Sequence, residues 1–70
     1  MFRVAYATAH GQKRFTDAFA TLEEARRKAC ELLAEHGASV VLDIRMGETM
    51  VLIGDHEIHA WCAERASRPQ

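Results

Sequence analysis

Apolar and polar residues alternate in "FRVAYAT", with Phe2, Val4 and Tyr6 on one side and Arg3, Ala5 and Ala7 on the other. A period of two is the pattern of a half-buried strand, because successive side chains leave opposite faces. The segment "HGQK" interrupts it, Gly11 can supply the positive φ of a tight turn, and "RFTDAFA" follows as a second strand, so the chain is expected to open with a hairpin. Asp17 shares its parity with Phe15 and Phe19. The second strand must therefore be short and lie at an edge, or a bulge must reset its face.

The period then changes to that of a helix. In "TLEEARRKACELLAEHG", Leu22, Ala25, Ala29, Leu32, Leu33 and His36 recur at helical spacing, and charged residues fill the rest of the circumference. Thr21 and Glu24 form a capping box, the hydroxyl accepting from first-turn amides while the carboxylate reaches back to the cap amide. Gly37 supplies the left-handed stop. Glu23 with Arg27 and Glu24 with Lys28 stand four apart, each pair contributing a few tenths of a kcal/mol, and "ARRK" reads as a solvated face.

Alternation returns in "SVVLDIRM", which puts Val40, Leu42, Ile44 and Met46 inward and Val41, Asp43 and Arg45 outward. A two-residue turn at "GE" would pair Met46 with Thr49, Ile44 with Val51 and Leu42 with Ile53. The same register turns Met50 and Leu52 onto the face of Val41, Asp43 and Arg45. After "GDHE" two patterns compete. A final strand would bury Ile58, Ala60 and Cys62 and expose His59 and Trp61, whereas a helix over 56 to 66 capped by Asp55 would align Ile58, Trp61, Cys62 and Arg65. The strand is the expectation for this segment, with "ERASRPQ" as a polar tail.

These elements predict an α+β fold, a two-layer ββαβββ domain over residues 1–63 with one helix packed on a mainly antiparallel sheet, followed by the tail 64–70. A helix of sixteen residues is about 24 Å long and about 10 Å wide, whereas five strands make a sheet roughly 20 Å across. One helix covers part of one face. The other face would present Val41, Asp43, Arg45, Met50, Leu52, His59 and Trp61, and large apolar side chains left contiguous in water mark a contact surface. Trp61 is its expected anchor.

Composition narrows the function classes. Seventy residues form one domain with a thin core, since a chain of this size hides roughly 60% of its unfolded surface. Nine basic and ten acidic residues are interspersed, for a formal charge of −1, so neither a simple nucleic-acid binder nor a strongly acidic DNA mimic is indicated. Cys30 and Cys62 are too far apart for a CxxC motif and too few for a disulfide scaffold. Free thiols in a reducing cytoplasm are the expectation, although sequence leaves a disulfide between them open. No apolar run reaches the length of a membrane span, and the N-terminus lacks the apolar core of an export signal.

Candidate chemistry is sparse. His56, His59 and Cys62 suggest zinc, but a strand would split them between faces, a helix would offer no fourth ligand nearby, and Cys30 and His36 could join only if the fold gathered them. No metal or other cofactor is expected. The chain has no GxSxG, GxGxxG or phosphate-loop pattern, and Asp43, Asp55, Glu57 and His56 read as solvated charges rather than an acid and base pair, so an enzyme is not expected. A nucleic-acid-binding sheet would need aromatic platforms set among basic residues, and the open face offers one Trp and one Arg.

"TLEEARRKA" after a short hairpin resembles the helix opening of small antitoxin domains of the HicB type, without the glycine and cysteine motif those domains carry before it. The whole-chain order is similar to that of small phage-encoded type I anti-CRISPR proteins. It runs from a "VAY" strand and hairpin through "TLEEARRKACELL" as the helix to "HGASVVLDIRM", "TMVLIG" and "DHEIHAWC" as successive strands. That resemblance implies a non-enzymatic inhibitor that docks on a CRISPR effector subunit and blocks target nucleic-acid binding. The other expectation is a homodimeric regulatory module burying the same face against itself, and a third is a small nucleic-acid-binding domain.

Overall fold

The computed structural model describes residues 1–8, 11–47 and 49–67. It contains β1 (Phe2–Ala7), β2 (Arg14–Phe15), α1 (Leu22–His36), β3 (Val41–Met46), β4 (Met50–Ile53) and α2 (Asp55–Ser67). The four strands form one antiparallel sheet in the order β2-β1-β3-β4. The fold is α+β in two layers, as the alternation of periods implies, but the second layer holds two helices. Val4, Leu42, Ile44 and Ile53 from the sheet meet Ala25, Ala29 and Leu32 of α1 and Ile58 and Cys62 of α2, so both helices lie on one face.

The hairpin of β1 and β2 forms as the alternation requires, and its parity conflict is resolved at Thr16. Only Arg14 and Phe15 pair as strand, opposite Tyr6 and Ala5. Thr16 donates its N–H to the Val4 carbonyl at 3.0 Å, while its hydroxyl, not its carbonyl, accepts the Val4 N–H at 3.1 Å. The chain then leaves the sheet and touches it again at Phe19, whose N–H and carbonyl exchange hydrogen bonds with Phe2. Phe15 thus faces away from the helices while Phe19 packs against the core. The turn expected at "HGQK" falls partly on His10, which lies outside the described residues.

Helix α1 starts and stops where its signals stand. The Thr21 hydroxyl accepts the Glu24 N–H at 3.2 Å, and Gly37, at φ 85°, donates its N–H to the Leu33 carbonyl. The Glu24 carboxylate takes the Thr21 hydroxyl at 3.0 Å instead of reaching the cap amide or pairing with Lys28, which lies 3.8 Å from Glu31. Arg27 and Glu23 stand 3.9 Å apart on the solvated side, as their spacing implies. Thr21→Ala is expected to cost about 1 kcal/mol, a fall of roughly 4–8 °C in Tm for a domain of this size, read by thermal unfolding followed by circular dichroism.

Two expectations fail after β3. The turn is longer than two residues, so Met46 pairs with Met50, Arg45 with Val51 and Ile44 with Ile53, and a β-bulge leaves Leu52 as the extra residue. Val51 therefore leaves the core and turns outward with Arg45, Met50 returns to the side of Met46, and Ile53 lies against Ile44 rather than Leu42. The turn includes Glu48, which lies outside the described residues. Gly47, at φ 68°, takes the left-handed conformation that an L side chain resists.

The last element is the helix α2, not a fifth strand, and it takes in residues 64–67 of the expected polar tail. Antiparallel register continued past Ile44 and Ile53 would set residue 55 against Leu42. There the strand stops, and the Asp55 carboxylate accepts the Leu42 N–H at 2.7 Å, in place of the carbonyl a longer strand would offer. Beyond Trp61 the residues Ala63, Glu64, Arg65 and Ala66 favour helix and include none of the β-branched types that suit a strand. Ile58 and Cys62, four apart, bury one side of the helix. Cys30 and Cys62 are joined by a disulfide across the two helices, with Cα atoms 5.5 Å apart, which corrects the expectation of free thiols.

Candidate protein-interaction surface

The helices pack mainly on β1 and β3 and reach β4 at Ile53, so Met50, Val51 and Leu52 of the outer strand and the far face of the sheet lie outside the helical layer. Val41, Met46, Met50, Val51 and Leu52 are each 40% to 59% exposed; Met46 and Met50 pair at the turn end of β3 and β4, Val51 and Leu52 follow on β4, and Val41 stands at the opposite end of β3. On the far face the cross-strand register aligns Ala7 with Val41, Ala5 with Asp43, and Arg3 with Arg45. Phe15, opposite Ala5 on β2, joins the same face. Ala5 is almost fully buried between Phe15 and Asp43 although it points away from the core.

The polar centre of this face is rigid. Asp43 and Arg45 are two apart on one strand and so share a face; Arg45 Nε donates to Asp43 Oδ1 at 2.8 Å and Nη2 to Oδ2 at 3.3 Å. Two parallel bonds of this kind orient both groups. The Arg45 guanidinium also lies 5.4 Å from the Phe15 ring centroid, and Lys13 Nζ lies 3.9 Å from Asp43 Oδ2. The Asp43 hydrogen bond, aided by its negative charge and opposed by desolvation, raises the Arg45 pKa above its ordinary value.

The residues expected on one surface are thus divided. Val41, Asp43 and Arg45 are together, Leu52 sits at the bulge of the outer strand, and Met50 stands with Met46 at the hairpin end. His59 and Trp61 are not on the sheet at all, because the segment that carries them is helical. His59 Nε2 lies 3.0 Å from Asp55 Oδ1 and 2.9 Å from the Val40 carbonyl. Both neighbours are acceptors, so Nε2 carries the hydrogen and His59 holds α2 to the end of β3. Trp61 packs against the core with Arg26 and Arg65 each 5.4 Å from its ring, so its indole is engaged within the protein. Phe15, Met46 and Val51 are the surface residues that sequence reasoning missed; the parity conflict at Asp17 was the one signal that pointed to Phe15.

Other chemistry is thin among the described residues. No group of three or more His, Cys, Asp or Glu side chains could hold a metal ion, and no helix is long and apolar enough to cross a membrane. The Cys30 and Cys62 sulfurs are bonded to each other, so neither can act as a thiolate in this state. A small cleft of about 120 Å³ opens between Arg26, Ile53, Glu57, Ile58 and Trp61, and a larger groove runs between the helices beside the disulfide. No protein-family model matches the chain, and no curated protein and no solved structure matches it.

Proposed function

We propose that this is a non-enzymatic protein-binding module whose contact surface is the apolar margin of β3 and β4 with the adjoining open face of the sheet. The observation that carries this reading is the exposure of large apolar side chains around the β3–β4 hairpin: Met46 and Met50 pair at its turn end, Val51 pairs with Arg45 on the far face, and Leu52 bulges from the outer strand, each 40% to 59% exposed. Four such residues within one hairpin form a denser cluster than apolar side chains exposed singly, which need no explanation.

The partner that fits is one with an apolar patch bordered by polar groups that meet the charged side chains of Lys13, Asp43 and Arg45. The resemblance in element order, in which the last expected strand is here the helix α2, makes a CRISPR effector subunit one candidate, its binding assayed by loss of target-DNA binding. A cytoplasmic site of action belongs with that candidate; the disulfide is equally suited to an oxidising compartment.

Light scattering at micromolar concentration is expected to return the 7.9 kDa monomer. A partner captured by the wild-type chain should lose affinity by about tenfold or more with Val51→Asp or Leu52→Asp, changes that place a charge in an apolar contact, and should be retained by Glu23→Ala on the solvated side of α1. Both aspartate variants should keep the helical circular dichroism signal, since the side chains are already half in water. A dimer that Val51→Asp dissolves would assign the margin to self-association instead, and capture indifferent to both variants would refute the surface.

A further inference from the structure

We propose that the Cys30–Cys62 disulfide is a redox-operated clasp, opened by a low-molecular-weight dithiol that enters the groove beside it and thereby releases α2 from the sheet. This does not depend on the identity of any partner. The groove is open, about 660 Å³ in volume, and has both cysteines in its wall together with the short side chains of Ala34, Ala63 and Ala66. Alanines at its edge leave room beside the sulfurs that larger residues would fill. Cys30 is partly exposed whereas Cys62 is buried, so Cys30 Sγ is the sulfur an incoming thiolate meets.

The chemistry balances as ordinary thiol–disulfide exchange. A thiolate of the dithiol bonds to Cys30 Sγ, the bond between the cysteines breaks, and Cys62 leaves with the electron pair and takes a proton from solvent. The second thiolate of the reductant then attacks the sulfur that the first had contributed. This releases Cys30 as a thiolate, which is also protonated, and leaves the reductant as a cyclic disulfide. The protein gains two electrons and two protons, and the dithiol loses them.

The bond is the covalent tie between α1 and α2. The helix also sends Ile58 and Cys62 into the core, sets the partly buried Trp61 beside Arg26 of α1, and is tied to β3 by Asp55 and His59 at its first turns. Cys62 is its last buried residue among those described, and residues 63 to 66 are exposed. A free helix of thirteen residues is marginal in water. The remaining layer keeps its own core, with Val4, Leu42 and Ile44 of the sheet packed with Ala25, Ala29 and Leu32 of α1 and with Val40. With α1, β3 and β4 still folded, the bond restrains only the short stretch from the end of β4 to Cys62, a factor of up to roughly a hundredfold that reduction returns to the equilibrium for release of α2. Release would uncover Ile53 and Ile58 beside Met46 and Met50, enlarging the apolar margin.

Hydrogen exchange followed by mass spectrometry on the full chain, with and without dithiothreitol, tests this. Reduction should add two hydrogens to the mass. It should also speed amide exchange over residues 55–67 by about thirtyfold or more, while β1 and the interior of α1 change by less than about threefold. The Cys30→Ser, Cys62→Ser double variant should show the same local exchange without reductant. Three results would overturn the proposal: a native bond that millimolar dithiothreitol does not cleave, a reduced protein whose α2 stays as protected as before, or exchange accelerated uniformly across every element. The last would make the bond a staple of the whole domain.

Discussion

Replacing Leu42 with alanine is expected to remove about 2–5 kcal/mol of folding stability, a large part of the roughly 4–10 kcal/mol available to a chain of this length. Leu42 is fully buried in the middle of β3, where the side chains of both helices and of β1 converge. Truncation loses the transfer free energy of the removed carbons and leaves a cavity that the surrounding strands, locked in register with β1 on one side, cannot collapse to fill. Urea denaturation with the disulfide intact measures the effect. The neighbouring Val41→Ala serves as an internal contrast, because Val41 is 54% exposed and its loss should stay within about 0.5 kcal/mol. A loss below about 1 kcal/mol for Leu42→Ala would show that the sheet and helices do not meet at this residue.

The second large effect is expected at Asp55. Its carboxylate accepts the Leu42 N–H at 2.7 Å and the His59 Nε2 hydrogen at 3.0 Å, so alanine there orphans a backbone donor and leaves His59 with the Val40 carbonyl alone. Hydrogen bonds to a charged group contribute about 1.5–3 kcal/mol, and since the Asp55 side chain is 41% exposed the lower end applies. Asp55→Asn retains an oxygen acceptor and should cost about 1 kcal/mol or less. Chemical denaturation gives the magnitude, and exchange of the Leu42 amide gives the location. Asp55→Ala should expose that amide specifically, and an unchanged Leu42 exchange rate would mean that the carboxylate does not take over the strand's missing partner.

Much of the layout was legible in the chain. The alternation in β1 and β3 and the helical period of α1, with Thr21 at its start and Gly37 at its end, are local patterns whose physical causes lie within a few residues. The conflict at Asp17 left a short edge strand or a bulge open; the strand is short and at the edge, and the Thr16 hydroxyl stands in for a carbonyl there. The candidate surface was legible in part. Val41, Asp43 and Arg45 follow from the parity of one strand, and an uncovered sheet face follows from how few elements there are to cover it. Val51 and Phe15 were hidden by the lengths of the turns before them, since one residue more or less in a turn shifts register and reverses which face a side chain joins.

The chain by itself determined where strands alternate, where α1 begins and ends, and that a thin α+β domain would leave part of its sheet bare, because these depend on side-chain period, caps and size. Only the tertiary structure decided that residues 55–67 coil as a helix, that Cys30 meets Cys62, and that Trp61 turns from the sheet to lie against Arg26 and Arg65. A short apolar run carries almost equal signal for strand and helix. Its choice is made by contacts with residues distant in sequence, here the Leu42 amide that Asp55 receives and the α1 cysteine that Cys62 joins.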